Sequence, residues 1–180
     1  WHLATVGVEV LAEQLDSPRL EAGDGFGDRS RLSAYLQDIW TVSDTPYLTF
    51  VAGARVDRDD QFGTELTPKV ALRYDPVEPL ALRASFGGGF RAPDFKELLL
   101  EFENPSVGYV VEGNPNLKAE RSWTTDASAE LDLGAAWLSL GGFYTVVDNL
   151  IQAELAEAST AMQFDRFRYS NIASARIAGV

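Results

Sequence analysis

Hydrophobic and polar residues alternate along most of this chain, and an alternation with a period of two predicts β-strands. The clearest example has apolar side chains at every second position, namely Leu48, Phe50, Ala52, Ala54 and Val56. The same pattern predicts further strands at about residues 4–12, 32–42, 66–74, 80–90, 123–133, 138–146 and 163–172, with a ninth beginning before residue 180. The sequence therefore predicts an all-β protein, an antiparallel up-and-down meander of about eight strands.

The connections between the predicted strands alternate in length. Short turns are predicted at residues 43–46, 75–79, 134 and 173–174, and longer loops at residues 14–30, 58–64, 91–120 and 149–162. Successive connections of a meander lie at opposite ends of the sheet, and outer-membrane barrels combine short periplasmic turns with long extracellular loops. The alternation is typical of such a barrel, with the longer loops on the outside of the cell.

A water-soluble fold gives a similar pattern. Soluble β-sandwiches and lipocalin-like barrels also have strands with one apolar face. Periodicity alone therefore leaves open a second interpretation, a stand-alone β-barrel or β-sandwich that binds a small ligand or has a structural role.

The longest predicted connection, residues 90–122, far exceeds the usual length of about 4 to 6 residues. It contains three prolines together with several aromatic, asparagine and glycine residues, a mixture that predicts an ordered loop with a function. Aromatic, amide and charged groups can stack on a ligand or hydrogen-bond to it, and the candidate ligand contacts are Arg91, Asp94, Phe95, Tyr109, Asn114 and Asn116. A short helical turn is predicted after Pro93, so a local salt-bridged role for Arg91 and Asp94 is an open alternative.

Two runs at the ends of this loop resemble the paired signature in the barrel of TonB-dependent outer-membrane receptors. They read GFRAPDFKEL at residues 89–98 and GNPNLKAERS at residues 113–122. Shorter matches to the same family lie at residues 35–38, 68–70, 148–151, 171 and 175–180. The resemblance covers nearly the whole chain, and Ala119 departs from it because the family usually has proline there.

This resemblance implies a part of a 22-stranded transmembrane barrel that encloses an N-terminal plug. Receptors of this family lie in the outer membrane of Gram-negative bacteria, in contact with its lipid, and import scarce ligands such as iron–siderophore complexes or cobalamin. Their extracellular loops capture the ligand, and the TonB complex of the inner membrane drives its passage by pulling on the plug. We expect residues 1–180 to be a partial barrel domain that lacks the plug and the remaining strands.

The resemblance also gives each strand a lipid face and a lumen face, and Lys69, Arg73 and Arg83 are the candidate lumen-facing residues. One register of the hairpin at residues 75–79 pairs Arg73 with Arg83. Two like charges opposite each other need a carboxylate partner, which the plug could supply.

Asp38 breaks the apolar face, because it shares that face with Leu36 and Trp40. A bulge or a position near a rim would account for it. The tryptophans mark an interface girdle or pack against neighbouring side chains, and they are Trp1, Trp40, Trp123 and Trp137.

The composition excludes several classes of function. The net charge of −12 argues against nucleic acid, which needs clustered Lys and Arg. The chain has no cysteine, and its single histidine, His2, can supply neither a metal site nor the base of a serine triad. There is no apolar run of about 18 residues, so no transmembrane helix is predicted. We expect no enzymatic activity, cofactor or metal.

Overall fold

The computed structural model describes residues 1–20, 24–157 and 164–180. Its elements in chain order are β1 (His2–Asp16), β2 (Phe26–Asp44), β3 (Tyr47–Asp59), β4 (Gly63–Val77), β5 (Leu80–Arg91), α1 (Phe95–Leu99), β6 (Glu101–Asn104), β7 (Tyr109–Glu112), β8 (Glu120–Asp132), β9 (Trp137–Glu157) and β10 (Asp165–Gly179). The strands form one sheet in the order β1-β2-β3-β4-β5-β8-β9-β10-β7-β6, curved into a half-barrel. None of the described helices is long and apolar enough to cross a membrane.

Eight of these strands are long, and they confirm the predicted all-β meander. The departure from a pure meander is the pair of short strands β6 and β7, which lie inside the predicted long loop. They form a hairpin, and β7 pairs in parallel with the first residues of β10, where Tyr109 lies opposite Asp165. The other strand pairs are antiparallel.

The turn predicted at residues 173–174 is wrong, and so is the ninth strand after it. β10 continues through this point, with Ile172 opposite Leu150 and Ser174 opposite Asp148 on β9. The reason is the length of β9, which extends to Glu157 through much of the segment predicted as a loop from residue 149. A partner strand of that length satisfies the backbone of β10 on both sides of Ala173.

The loop predicted at residues 58–64 is a tight connection of residues 60–62. The Asp59 carboxylate closes it by accepting hydrogen bonds from the backbone N–H groups of Gln61 (3.0 Å) and Phe62 (3.1 Å). Asp60 accepts hydrogen bonds from the N–H (2.8 Å) and hydroxyl (2.9 Å) of Ser30. Burial raises the pKa of Asp60, but these bonds outweigh it, so the pKa of Asp60 lies below its usual value.

The connections lie at the two ends of the sheet. One end carries residues 45–46, 78–79 and 133–136, and we name it the turn rim. The opposite end carries residues 17–20, 24–25, 60–62 and 92–119, and we name it the loop rim. The remaining part of the loop predicted at residues 149–162, namely residues 158–162, lies outside the described residues.

Compared with a soluble protein, the sheet has an inverted distribution of polarity, with an exposed apolar face and buried charged groups on the opposite face. On the apolar face large hydrophobic side chains are exposed, among them Val6, Val8, Val10, Leu36, Leu66, Leu72 and Leu140. On the polar face Asp57 is 4% exposed and Asp59 is 3% exposed. Soluble proteins bury apolar side chains and expose charges, whereas a membrane barrel turns its apolar face to lipid. The inversion favours the membrane barrel over the soluble alternative.

Asp38 lies on the apolar face, as predicted, but the strand has no bulge at this position. Its strand pairs regularly there, with Asp38 opposite Ala4 on β1 and Ala52 on β3. The carboxylate is 3.2 Å from Nδ1 of His2 on β1. A polar partner on the neighbouring strand therefore accounts for Asp38.

Two of the four tryptophans stack on a phenylalanine of a neighbouring strand. The ring centroids of Trp40 and Phe50 are 5.4 Å apart, and those of Phe86 and Trp123 are also 5.4 Å apart. Both pairs include phenylalanines of the apolar face, so the packing alternative holds for these two tryptophans and is compatible with an interface girdle.

The exposed apolar face gives a first testable prediction. In water without detergent, the isolated 180-residue chain is expected to self-associate, because an exposed apolar patch of this size favours association. The free backbone edge of β1 adds a second surface for pairing with another copy. Light scattering of the purified chain, with and without detergent, measures the effect. A monodisperse monomer in plain buffer would contradict the prediction and favour the soluble alternative.

Candidate functional site

Residues 92–119, which we name the rim segment, connect β5 to β8 at the loop rim and contain five of the six predicted ligand contacts. The helix α1 lies near the start of the segment, where the sequence predicts a short helical turn after Pro93. Asp94 caps this helix by accepting a hydrogen bond from the N–H of Glu97 (2.9 Å). The Glu97 carboxylate in turn accepts one from the N–H of Asp94 (2.8 Å). This reciprocal capping box fixes the direction of the chain as it leaves β5.

Arg91, at the end of β5, holds two carboxylates. It donates to Glu97 through Nη1 (2.9 Å) and Nη2 (3.0 Å), and to Glu120 through Nε and Nη2 (both 2.7 Å). Glu120 also accepts a hydrogen bond from the N–H of Ile151 at 2.7 Å. Hydrogen bonds between charged partners are among the strongest in proteins. The guanidinium therefore links β5, α1, β8 and β9.

Phe95 fixes the segment against β2. Its buried ring lies directly over Gly27, where an added Cβ would come within 2.8 Å of the ring. The Arg29 guanidinium lies 5.4 Å from the ring centroid and donates a hydrogen bond of 2.6 Å to the Pro93 carbonyl. Arg29 is itself paired with Glu13 of β1. Gly27 and Arg29 are not predictable as parts of this site from the sequence, because they are far from the rim segment along the chain.

Asparagine side chains fix the other end of the rim segment. Asn114 donates to the Tyr169 carbonyl (3.0 Å) and accepts from the N–H of Asn116 (3.0 Å). Asn171 of β10 donates to the carbonyls of Lys118 (2.9 Å) and Asn149 (2.7 Å), and it accepts from the N–H of Lys118 (2.8 Å). Asn116 itself is exposed at the turn.

The hairpin of β6 and β7 carries Tyr109 across the loop rim. The Tyr109 ring lies 6.2 Å from the centroid of Phe102 and 6.4 Å from that of Phe167 on β10. At the far edge of the hairpin, the N–H of Glu101 donates a hydrogen bond of 2.8 Å to the carbonyl of Arg19, in the connection between β1 and β2. The rim segment therefore reaches from β10 to the beginning of the half-barrel.

The predicted ligand contacts thus divide into two groups. The polar groups of Arg91, Asp94 and Asn114 are engaged within the loop rim, and Phe95 is buried, which supports the structural alternative for Arg91 and Asp94. Tyr109 is half-buried and Asn116 is exposed. Ligand contact stays a prediction for all six.

The three predicted lumen residues lie on the polar face, on strands β4 and β5. Arg73 is opposite Arg83, as the sequence predicted. Arg73 pairs with Asp75 (2.8 Å), and Arg83 pairs with Glu130 of β8. The barrel wall itself therefore supplies the carboxylates, and the expectation that the plug could provide one is not needed. Lys69 is exposed on the same face.

A cavity of about 540 Å³ opens at the loop rim between residues 60–62 and α1. Its lining combines apolar side chains with polar ones, and consists of Gln61, Phe62, Glu65, Leu98, Leu99, Pro115, Leu117, Lys118, Ala119, Arg121 and Asn149. Leu98 and Leu117 also belong to the small buried core of the loop rim, together with Ile151. In the described parts of the chain, no group of three or more His, Cys, Asp or Glu side chains could hold a metal ion.

Comparison with known protein families gives one match that covers most of the chain. The family described as TonB dependent receptor-like, beta-barrel, matches residues 12–180. An iron-regulated outer membrane virulence protein of Vibrio cholerae serotype O1 is 28% identical over 140 residues, which are 74% of this chain and 21% of that protein. The vitamin B12 transporter BtuB of Photobacterium profundum is 30% identical over 132 residues, 73% of this chain and 20% of BtuB. The chain therefore spans about a fifth of these relatives.

Solved structures agree on the fold. The siderophore receptor PirA of Pseudomonas aeruginosa superposes with a TM-score of 0.86 and 21% identity, over 99% of this chain and 35% of PirA. The hemophore receptor HasR of Serratia marcescens, solved with its hemophore HasA and heme, gives a TM-score of 0.78 and 19% identity over 99% of this chain and 35% of HasR. At these identities the likeness concerns the fold alone.

Proposed function

Because this chain belongs to the TonB-dependent receptor-like β-barrel family of outer-membrane proteins, we propose that it forms part of the wall of a receptor that imports a scarce ligand. The class of ligand is an iron–siderophore complex, cobalamin or heme, since these are named in its relatives and structural neighbours. The observation that carries the proposal is the inverted polarity of the two faces, because an exposed apolar face next to a buried polar one fits a wall between lipid and an aqueous lumen. The family consists of receptors and transporters, not enzymes.

In this proposal the loop rim faces the outside of the cell and captures the ligand. Tyr109 and Asn116 are then the contacts most accessible to it, while Arg91, Asp94, Phe95 and Asn114 hold the rim segment in position. Lys69, Arg73 and Arg83 face the lumen. Coupling to the TonB complex through a plug is part of the same proposal and rests on the family alone.

The orientation can be tested with inserted epitopes. An epitope after Gly134, at the turn rim, is expected to be hidden from antibody on whole cells, because short turns face the periplasm. An epitope after Val107, at the exposed turn between β6 and β7, is expected to be accessible. Whole-cell binding of labelled antibody measures both, and permeabilised cells control for expression. Accessibility of the first epitope and not the second would reverse the assigned orientation.

The imported ligand can be identified by measuring uptake. A strain that lacks the complete gene is expected to lose uptake of one radiolabelled ligand from a panel of iron–siderophore complexes, cobalamin and heme. Restoring the gene should restore uptake, and removing TonB should abolish it again. Unchanged uptake of every ligand in the panel, or uptake that persists without TonB, would contradict the proposed function.

A further inference from the structure

The cavity at the loop rim exists because β4 and β5 pair along only part of their length. Their ladder reaches from Val77 opposite Leu80 to Lys69 opposite Gly87. β4 continues beyond Lys69 to Gly63, and it remains paired with β3 throughout. The ladder with β5 ends beside Pro68, which has no N–H to donate. Pro68 and Thr67 still lie beside Gly88 of β5. Farther along β4, Glu65 lines the cavity together with Leu98 and Leu117 of the rim segment.

The apolar part of the lining is rigid. Leu98 and Leu117 are each 5% exposed and belong to the buried core of the loop rim, and Phe62 packs against that core. The helix α1 is held by its capping box and by Arg91. The side chain of Leu98 also packs in the core of the loop rim, so its position is fixed. A preformed apolar surface of this kind accepts a ring or an alkyl chain without first having to be ordered.

The charged part of the lining has an excess of positive charge. Arg121 is paired with Glu65 at one side of the cavity, with Nε 2.9 Å from the carboxylate. Lys118 lines the same cavity, and its side chain forms no ion pair with the described residues. Its backbone is nevertheless fixed, since both its N–H and its carbonyl are bonded to Asn171. The cavity thus offers a cation that is close to a rigid apolar surface and has no carboxylate partner there.

We propose that this cavity binds a small amphipathic acid, whose apolar body packs on the partly exposed side chains of Phe62 and Leu99 and whose acid group pairs with Lys118. Its volume lies within the range of about 300 to 1,000 Å³ that is usual for sites of small ligands. The site lies in the barrel wall, between residues 60–62 and α1, and does not depend on which ligand the receptor imports. The same chemistry is found in soluble aromatic acids and in anionic lipids.

The test uses the complete gene product in a non-ionic detergent, with 2-naphthoate as the probe and the neutral 2-naphthamide as its control. Isothermal titration and fluorescence anisotropy of the probe measure affinity. Saturable binding of 2-naphthoate is expected, with affinity about two- to fivefold above that of the amide, because the side chain of Lys118 is exposed and an exposed ion pair contributes only modestly. Equal binding of acid and amide would overturn the proposal.

Variants distinguish binding of 2-naphthoate in the cavity from adsorption of the probe to detergent micelles or to the apolar face. Lys118→Gln is expected to weaken 2-naphthoate binding about two- to fivefold. The matched variant Lys69→Gln also removes an exposed lysine, but one elsewhere on the wall, and should leave the binding unchanged. Ala119→Leu fills the cavity and should abolish binding, provided that the heat-modifiable mobility of the folded barrel is retained on gels. Binding that is the same in Lys118→Gln and Lys69→Gln would refute the site.

Competition identifies the source of the acid. Displacement of 2-naphthoate by short-chain phosphatidylglycerol would assign the site to an anionic lipid. Displacement by benzoate and other soluble acids, but not by the lipid, would assign it to a soluble ligand. If neither the lipid nor the soluble acids displace the probe, the assignment of the cavity to acids is overturned. Because none of these measurements involves uptake, they can fail while the import function stands, and the reverse is equally true.

Discussion

Arg91→Ala is expected to destabilise the loop rim by about 2 kcal/mol or more, since removal of one partner leaves the others desolvated and unpaired. The two carboxylates that it holds, Glu97 and Glu120, are only 13% and 12% exposed. Both would remain close together without a compensating charge. The midpoint of urea unfolding in lipid vesicles, followed by heat-modifiable mobility on gels, measures the loss.

A matched control for this variant lies on β4. The side chain of Arg73 is 45% exposed, as is that of Arg91, but its carboxylate partner Asp75 is on the same strand. Arg73→Ala is therefore expected to cost less than about 1 kcal/mol, the usual range for an exposed ion pair. Arg91→Lys should fall between the two, because an ammonium cannot reproduce the planar fork that engages two carboxylates. Equal small losses for Arg91→Ala and Arg73→Ala would contradict the structural role of Arg91.

Val8→Arg is expected to impair insertion into lipid by about 2 to 4 kcal/mol, the cost of an arginine on the lipid face near the middle of the membrane. Val8 lies near the middle of β1 on the apolar face and is 73% exposed. The control is Thr5→Arg, which places the same side chain on the polar face of the same strand. We expect it to fold nearly as well as the unchanged protein.

The same two variants distinguish the two interpretations of the fold. On a soluble barrel, Val8 would be an ordinary surface position, where substitutions usually change stability by no more than about 0.5 kcal/mol. The comparison is made by folding each variant into vesicles and measuring the fraction folded at increasing urea. Indistinguishable curves for Val8→Arg and Thr5→Arg would contradict a lipid-facing β1.

Alternation of side chains predicts the strands of this protein well, because it reports which face of a strand is apolar whatever the strand pairs with. The same alternation predicts the ends of the strands poorly. At residues 173–174 the sequence has two small residues, alanine and serine, which predict a turn. The strand nevertheless continues because Ile172 and Ser174 pair with residues of β9. The deciding residues, Leu150 and Asp148, are far away in sequence, and no local pattern reveals how long β9 will be.

The rim segment shows the same limit for the candidate site. Asp94 and Glu97 are three residues apart, and their spacing before an apolar pair is enough to predict a capped helical turn. The contacts that fix that turn in place join Arg91 to Glu120 and Phe95 to Gly27, over distances along the chain that a single sequence does not encode locally. The motif was therefore identifiable, while its role in holding the rim required the structure.

The parallel pairing of β7 with β10 also determines how a neighbouring strand can join this wall. A strand has two edges, and each edge forms one ladder. β9 occupies one edge of β10, and β7 occupies the other over residues 165–168. A further strand can therefore pair with this edge of β10 only from the turn rim to residue 169. Beyond that point it has to bend away from β10, because the hairpin of β6 and β7 lies between them.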